Sequence, residues 1–202
     1  MTAVLWAGSA AAGVFVAVFL VDGWTRPGYR SVRHPVSALA LGPRGWLQTA
    51  NFVCCGALIA AAGAAVFPAT GGVVLAAAIA VFGLALVASG VFPMDAMRGY
   101  PPGSPDETPQ RFSLRHRIHD AAGAVVFLSL PAAAAAAVFT LDGAFRVGYS
   151  AVTAAALLGL FSLFGRAWED DSPRAGLIQR LNIVVGWVWL GLLLADLAVR
   201  AD

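Results

Sequence analysis

The chain has 202 residues, of which 59% are hydrophobic and only 12% charged, with a net charge of +2 and a mean hydropathy of +0.78. A soluble domain carries about 25% charged residues, so this composition excludes one and places the chain in a membrane, and so small a net charge gives no basis for a nucleic-acid partner. All thirteen basic side chains are arginine, which rules out Schiff-base and lysine-nucleophile chemistry.

Six apolar stretches are each long enough to cross the bilayer, which takes about 20 helical residues. In chain order they cover residues 3–22, 46–67, 71–93, 116–140, 147–165 and 176–199. Helices are expected because only they satisfy their own backbone hydrogen bonds in lipid. The fold class is therefore all-α: a polytopic six-helix transmembrane bundle formed as one domain over 1–202. The first stretch lacks a basic leader, which favours a span over a cleaved signal peptide. In the second, the adjacent Cys54 and Cys55 point apart on a helix and read as packing residues. Gly56 and Gly63, and in the third stretch Gly83 and Gly90, lie seven apart on one helix face each, where small residues let helices approach. Pro131 is expected to bend the fourth and to free a carbonyl a turn earlier. In the sixth, Trp187 and Trp189 lie too deep for an interfacial belt, so at least one should pack inside; Trp6, Trp24, Trp46 and Trp168 suit interfacial anchoring.

The connections alternate between tight turns, "PATGG" and "LDGAFR", and longer polar linkers near 23–45, 94–115 and 166–175. All three long linkers then share one side, with eleven arginines against Arg146 and Arg200 on the other. The positive-inside rule makes that side cytoplasmic. The alanine-rich, lysine-free bias resembles a high-GC bacterial genome, so the expected location is a bacterial cytoplasmic (inner) membrane. The acidic "WEDDSPR" is most simply a solvated loop.

The ionisable groups near helix ends gather on this side, where a charge avoids the cost of burial in lipid, about 2.5 kcal/mol or more. His116, His119 and Asp120 stand at i, i+3 and i+4, on roughly one helix face. His119, Asp95 and Asp120 are the candidate catalytic residues, with His119 as general base. His116, His119 and Asp95 could instead hold a divalent metal, although H-x-x-H-D is not a zinc signature; the sequence specifies no cofactor. Asp120 could equally complement the helix dipole, Asp95 end a helix in water, and His116 cap one. Arg180 could pair with Asp95, grip a lipid phosphate or snorkel, with Gln179 beside it. His34 and Ser37, three apart around Pro35, could overhang the same pocket or simply form a turn.

The segments "GYRSVRHPVSALALGPRGWLQTANFVCCG", "SGVFPMD", "HDAAGAVVF" and "GLIQRLNIVVGW" together resemble the successive motifs of a bacterial membrane family called domain of unknown function 998. The resemblance spans nearly the whole chain. It implies six transmembrane helices and a shared polar set at Tyr29, Ser37, Asp95, His119 and Arg180, and it implies no activity. A more distant similarity, to a eukaryotic six-span group that includes autophagy-modulator and lipid-remodelling proteins, would turn the first loop to the luminal side.

Two functions follow as expectations. One is a membrane-embedded enzyme acting on a lipid or amphipathic small molecule, with Arg180, Gln179, Tyr29, Ser37 and His34 on the substrate side. The other is a non-catalytic lipid-binding or accessory protein, whose partner is membrane lipid. A proton-coupled transporter fits less well, because the charges crowd one face and do not line a midplane path.

Overall fold

The computed structural model describes residues 1–201 and is helical throughout its six long elements. They are α1 (Thr2–Thr25), α2 (Gly45–Thr70), α3 (Val73–Val91), α4 (Leu114–Thr140), α5 (Ala144–Glu169) and α6 (Ala175–Arg200). All six are long and apolar enough to cross a membrane, as expected of a multi-pass membrane protein. A short 3-10 turn, Val36–Ala40, interrupts the first long linker. The helices run beyond most of the expected apolar limits because polar first and last turns continue the same hydrogen-bond ladder.

Consecutive helices pack antiparallel, and α6 returns against α1 to close the ring. All three long linkers therefore lie at one end. Gly71 makes the tight α2–α3 turn possible: its φ of 69° is left-handed, and its N–H bonds Phe67 O at 2.7 Å, closing the last turn of α2.

Small residues set how closely the helices approach. A methyl on Gly63 would lie 2.4 Å from Ala80 N, and one on Gly83 2.4 Å from Ala60 N, so backbone meets backbone along the α2–α3 seam. Gly8 is similarly held against Ala62 and Leu194, and Ser9 Oγ donates to Gly191 O at 2.9 Å, joining α1 to α6. In the centre Phe15 stacks on Trp187 with ring centroids 4.0 Å apart, and Phe82 meets the same indole edge-on at 5.3 Å. Trp189 is buried as well and donates Nε1–H to Ser150 Oγ, so both deep tryptophans pack inside. Both helix prolines, Pro68 and Pro131, are carried within continuous helices. Ser129 Oγ donates to Val125 O at 2.6 Å, not to the Phe127 carbonyl that Pro131 leaves without its usual donor.

The ring is uneven. Half of the most apolar window of α6 is buried but only 17% of that of α5, and Gly148, Gly159 and Gly165 of α5 have open space where a side chain would grow. Gly63→Ala or Gly83→Ala should therefore separate α2 from α3 and cost about 1–3 kcal/mol, read as a lower thermal unfolding midpoint in detergent. Gly159→Ala should leave that midpoint unchanged or raise it.

Candidate functional site

The end of the bundle that carries the long linkers is built around three buried arginines. Arg26 pairs with Asp22 one turn before it and donates to Leu41 O (3.0 Å), Arg44 O (2.9 Å) and Tyr100 Oη (3.4 Å). Asp22, 1% exposed, also receives Arg44. Arg98 donates to Trp168 O at 2.7 Å, pairs with Asp171 at 3.2 Å, and lies 3.8 Å over the Trp168 ring. Arg180 donates to Tyr29 Oη and to the carbonyls of Ser31, His34 (2.8 Å) and Gly176 (2.9 Å). Each guanidinium thus has oxygen partners, the condition under which a buried charge is tolerated.

These bonds correct several expectations. Arg180 does not pair with Asp95; its guanidinium holds the first linker onto α6. The acidic residues of "WEDDSPR" are exposed, as expected of a solvated loop, but Asp171 also ties the α5–α6 linker to Arg98 and Arg33, and Trp168 is part of that tie. Tyr29 donates to Pro35 O at 2.9 Å, and its burial pushes the phenol up to about 12, so it stays neutral. His34 Nδ1 accepts from Arg30 N–H and Nε2–H donates to Arg98 O (3.2 Å), which fixes a neutral tautomer between Tyr29 and Tyr100. Burial lowers its pKa to about 4, and the charges of Arg30, Arg33 and Arg180 work in the same direction against the Arg98 carbonyl. Both His34 and Tyr29 are loop clamps.

Asp95 and His116 close the second linker. Ser113 donates N–H and Oγ–H to the two Asp95 oxygens at 2.8 and 2.6 Å, and Ser113 Oγ caps α4 by accepting from His116 N–H. Burial alone would raise the Asp95 pKa, but the Ser113 donors hold it below its ordinary value. His116 Nδ1 accepts from Asp95 N–H at 2.9 Å, so its Nε2 carries the proton and faces Asp120 Oδ2 at 3.1 Å. The expected His116, His119 and Asp95 metal set is therefore not formed: Asp95 and both His116 nitrogens have other partners. Among the described residues no three His, Cys, Asp or Glu side chains are grouped to hold a metal.

His119 differs from the rest. Its Nδ1 lies 3.0 Å from Ser89 O and 2.9 Å from Phe92 O at the end of α3. Two carbonyls can only accept, so Nδ1 carries the proton and Nε2 keeps a lone pair. That lone pair has no protein partner among the described residues, and it is not sealed from the cavities His119 lines. The larger is a partly open cleft of about 250 Å³ walled by Met94, Phe127, Phe161, Phe164 and Trp168. The smaller, about 60 Å³, runs inward to Phe15 and Trp187. Ser37, His119, Gly123 and Gln179 line both. Gln179 Oε1 accepts from Val36 N–H at 2.7 Å, which leaves its amide N–H groups on the cavity side. Ser37 Oγ lies 3.3 Å from Met94 Sδ. Asp120 stands at the rim, its side chain 59% exposed.

A family profile described as "Protein of unknown function (DUF998)" matches residues 9–196, nearly the whole chain. The chain belongs to the DUF998 family. No curated protein and no solved structure matches it. In this DUF998 protein, the expected polar set separates into linker clamps (Tyr29, His34, Asp95, Arg180) and cleft residues (Ser37, His119, Gln179, with Asp120 and His116 at the rim). The aromatic wall on α5 and the Asp22–Arg26–Arg44 cluster were not among the expected site residues. The phenylalanines had a signal: Phe161 and Phe164 are i and i+3, and with Trp168 four further on they define one face of α5.

Asp22→Ala should leave Arg26 buried without a counter-charge, a loss of about 3–5 kcal/mol, checked as the thermal unfolding midpoint in detergent against Asp106→Ala at the exposed Arg33 pair. For His34 the folded value of about 4 lies below the ordinary 6.5, so between these values the unfolded chain binds more protons. Stability should hold above that window and fall as pH drops through it. His34→Gln should flatten the decline in a series of unfolding midpoints.

Proposed function

We propose that this protein binds an amphipathic small molecule in the cleft between α4 and α5, at the linker end of the bundle. The observation that carries this reading is the His119 Nε2 lone pair, without a protein partner among the described residues and open to a cavity with an aromatic wall. An acceptor that the protein leaves unpaired beside a cavity is free to take a hydrogen bond from whatever enters. The cleft is mostly apolar with a few convergent polar groups, the general form of a small-molecule site. Its walls include α5, the least buried helix, which favours a membrane lipid or lipid-like compound arriving from the side.

A catalytic reading has one specific observation in its favour. With Nδ1–H fixed on two carbonyls, His119 Nε2 is held as an acceptor, as a general base must be. Ser37 is the hydroxyl lining the same cavities. The site has no grouped metal ligands and no free guanidinium, so binding is the stronger reading. The linker end is proposed to face the cytoplasm: Arg26, Arg98 and Arg180 serve the fold, and removing these three from the eleven arginines still leaves eight against two.

Gly123 supplies the test. It lines both cavities, and a side chain grown there meets nothing within 4 Å. Gly123→Leu should fill the cleft without disturbing the fold, and helix propensity should favour it by up to about 1 kcal/mol. Native mass spectrometry of protein released from membranes should show a co-purifying amphiphile on the wild type and its loss from Gly123→Leu. Equal lipid occupancy on both proteins would refute binding in this cleft.

A further inference from the structure

The polar groups inside the cleft also limit what kind of headgroup can sit there, an inference that rests on the binding reading above. His119 Nε2 is an acceptor. Gln179 Nε2 is a donor, because its Oε1 is held by Val36 N–H. Ser37 can be either. No arginine lines either cavity; Arg180, one residue from Gln179, is turned onto Tyr29 and three carbonyls. The one carboxylate, Asp120, sits at the exposed rim and faces His116.

An anionic headgroup would meet a lone pair and a carboxylate with no cation to receive it, and burying it would be costly. An ammonium could donate to His119 and to Asp120 at the rim but could not accept from Gln179. A hydroxyl is complementary to both kinds of group, with a proton for an acceptor such as His119 Nε2 and an oxygen for a donor such as the Gln179 amide. We infer that the cleft takes an uncharged amphiphile whose head is a hydroxyl group, a long-chain or isoprenoid alcohol or a glyceride with a free hydroxyl. Its apolar portion lies along Phe127, Phe161 and Phe164. Ordinary anionic phospholipids are not its ligands.

Four photoreactive probes with one alkyl chain test this on the full-length protein in detergent: hexadecanol, hexadecyl methyl ether, hexadecylamine and hexadecyl sulfate, each carrying a mid-chain diazirine. Labelling is mapped by peptide mass onto residues 120–127 and 161–168. The alcohol should half-saturate at a concentration roughly fivefold below that of the ether, the discrimination one hydrogen bond supplies, and the amine and sulfate should label these segments less than the alcohol. His119→Asn keeps an amide N–H where Nδ1–H meets the α3 carbonyls and has no atom in the place of Nε2, its remaining acceptor Oδ1 being drawn back to the Cδ2 position. It should bring the alcohol down to the ether while the unfolding midpoint stays near wild type. The ranking on wild-type protein decides by itself should that variant not fold. An ether equal to the alcohol, or a preference for amine or sulfate, overturns the hydroxyl assignment and leaves cleft binding standing. Absence of labelling from all four probes, or labelling unchanged in Gly123→Leu, overturns both.

Discussion

The structure depends on one constraint: a guanidinium removed from water must be surrounded by oxygen. Arg26, Arg98 and Arg180 each meet it with groups from at least two segments, and their bonds therefore join what the chain separates. Arg180 on α6 collects carbonyls from the first linker. Arg98 in the second linker reaches the end of α5. Arg26 holds the start of α2 to the end of α1 through Arg44 O and Asp22. In a bundle whose helices meet largely through apolar surface, which lipid solvates equally well, such directional bonds specify one arrangement of the linkers.

The cleft follows from this arrangement. Because the linkers are pinned, Ser37 and Met94 are held over the cleft between α4 and α5. Arg26, Arg98 and Arg180 are turned onto the fold, and among the described residues no arginine lines the space beneath. His119 belongs to both systems, since one nitrogen closes α3 and the other opens onto the cavity. Its ring orientation is set by the helix end beneath it and does not wait for a ligand, the kind of preorganisation that lets a single polar group discriminate between headgroups.

The architecture was legible from hydropathy because lipid permits so few solutions: each long apolar run had to be a helix, and short turns forced antiparallel neighbours. The glycine spacing correctly marked the α2–α3 seam, as the close approach at Gly63 and Gly83 shows. The site was legible only as a list of residue types. His119 stood out through its depth in α4, but nothing in the sequence distinguishes an arginine that waits for a phosphate from one already surrounded by carbonyls, since those carbonyls belong to every residue alike. Asp95 was ambiguous for a related reason: its partner Ser113 lies eighteen residues away across a linker whose path hydropathy does not encode. The expected metal set failed because His116 and His119, on one helix, are drawn to different neighbours.

The contrast between a glycine-locked α2–α3 seam and a loosely covered α5 divides the molecule into a stiff side and a soft side. Beside Gly148, Gly159 and Gly165 the protein leaves open space along α5. Side chains added on this helix would therefore change its outline without displacing a packed neighbour, whereas the α2–α3 seam admits none.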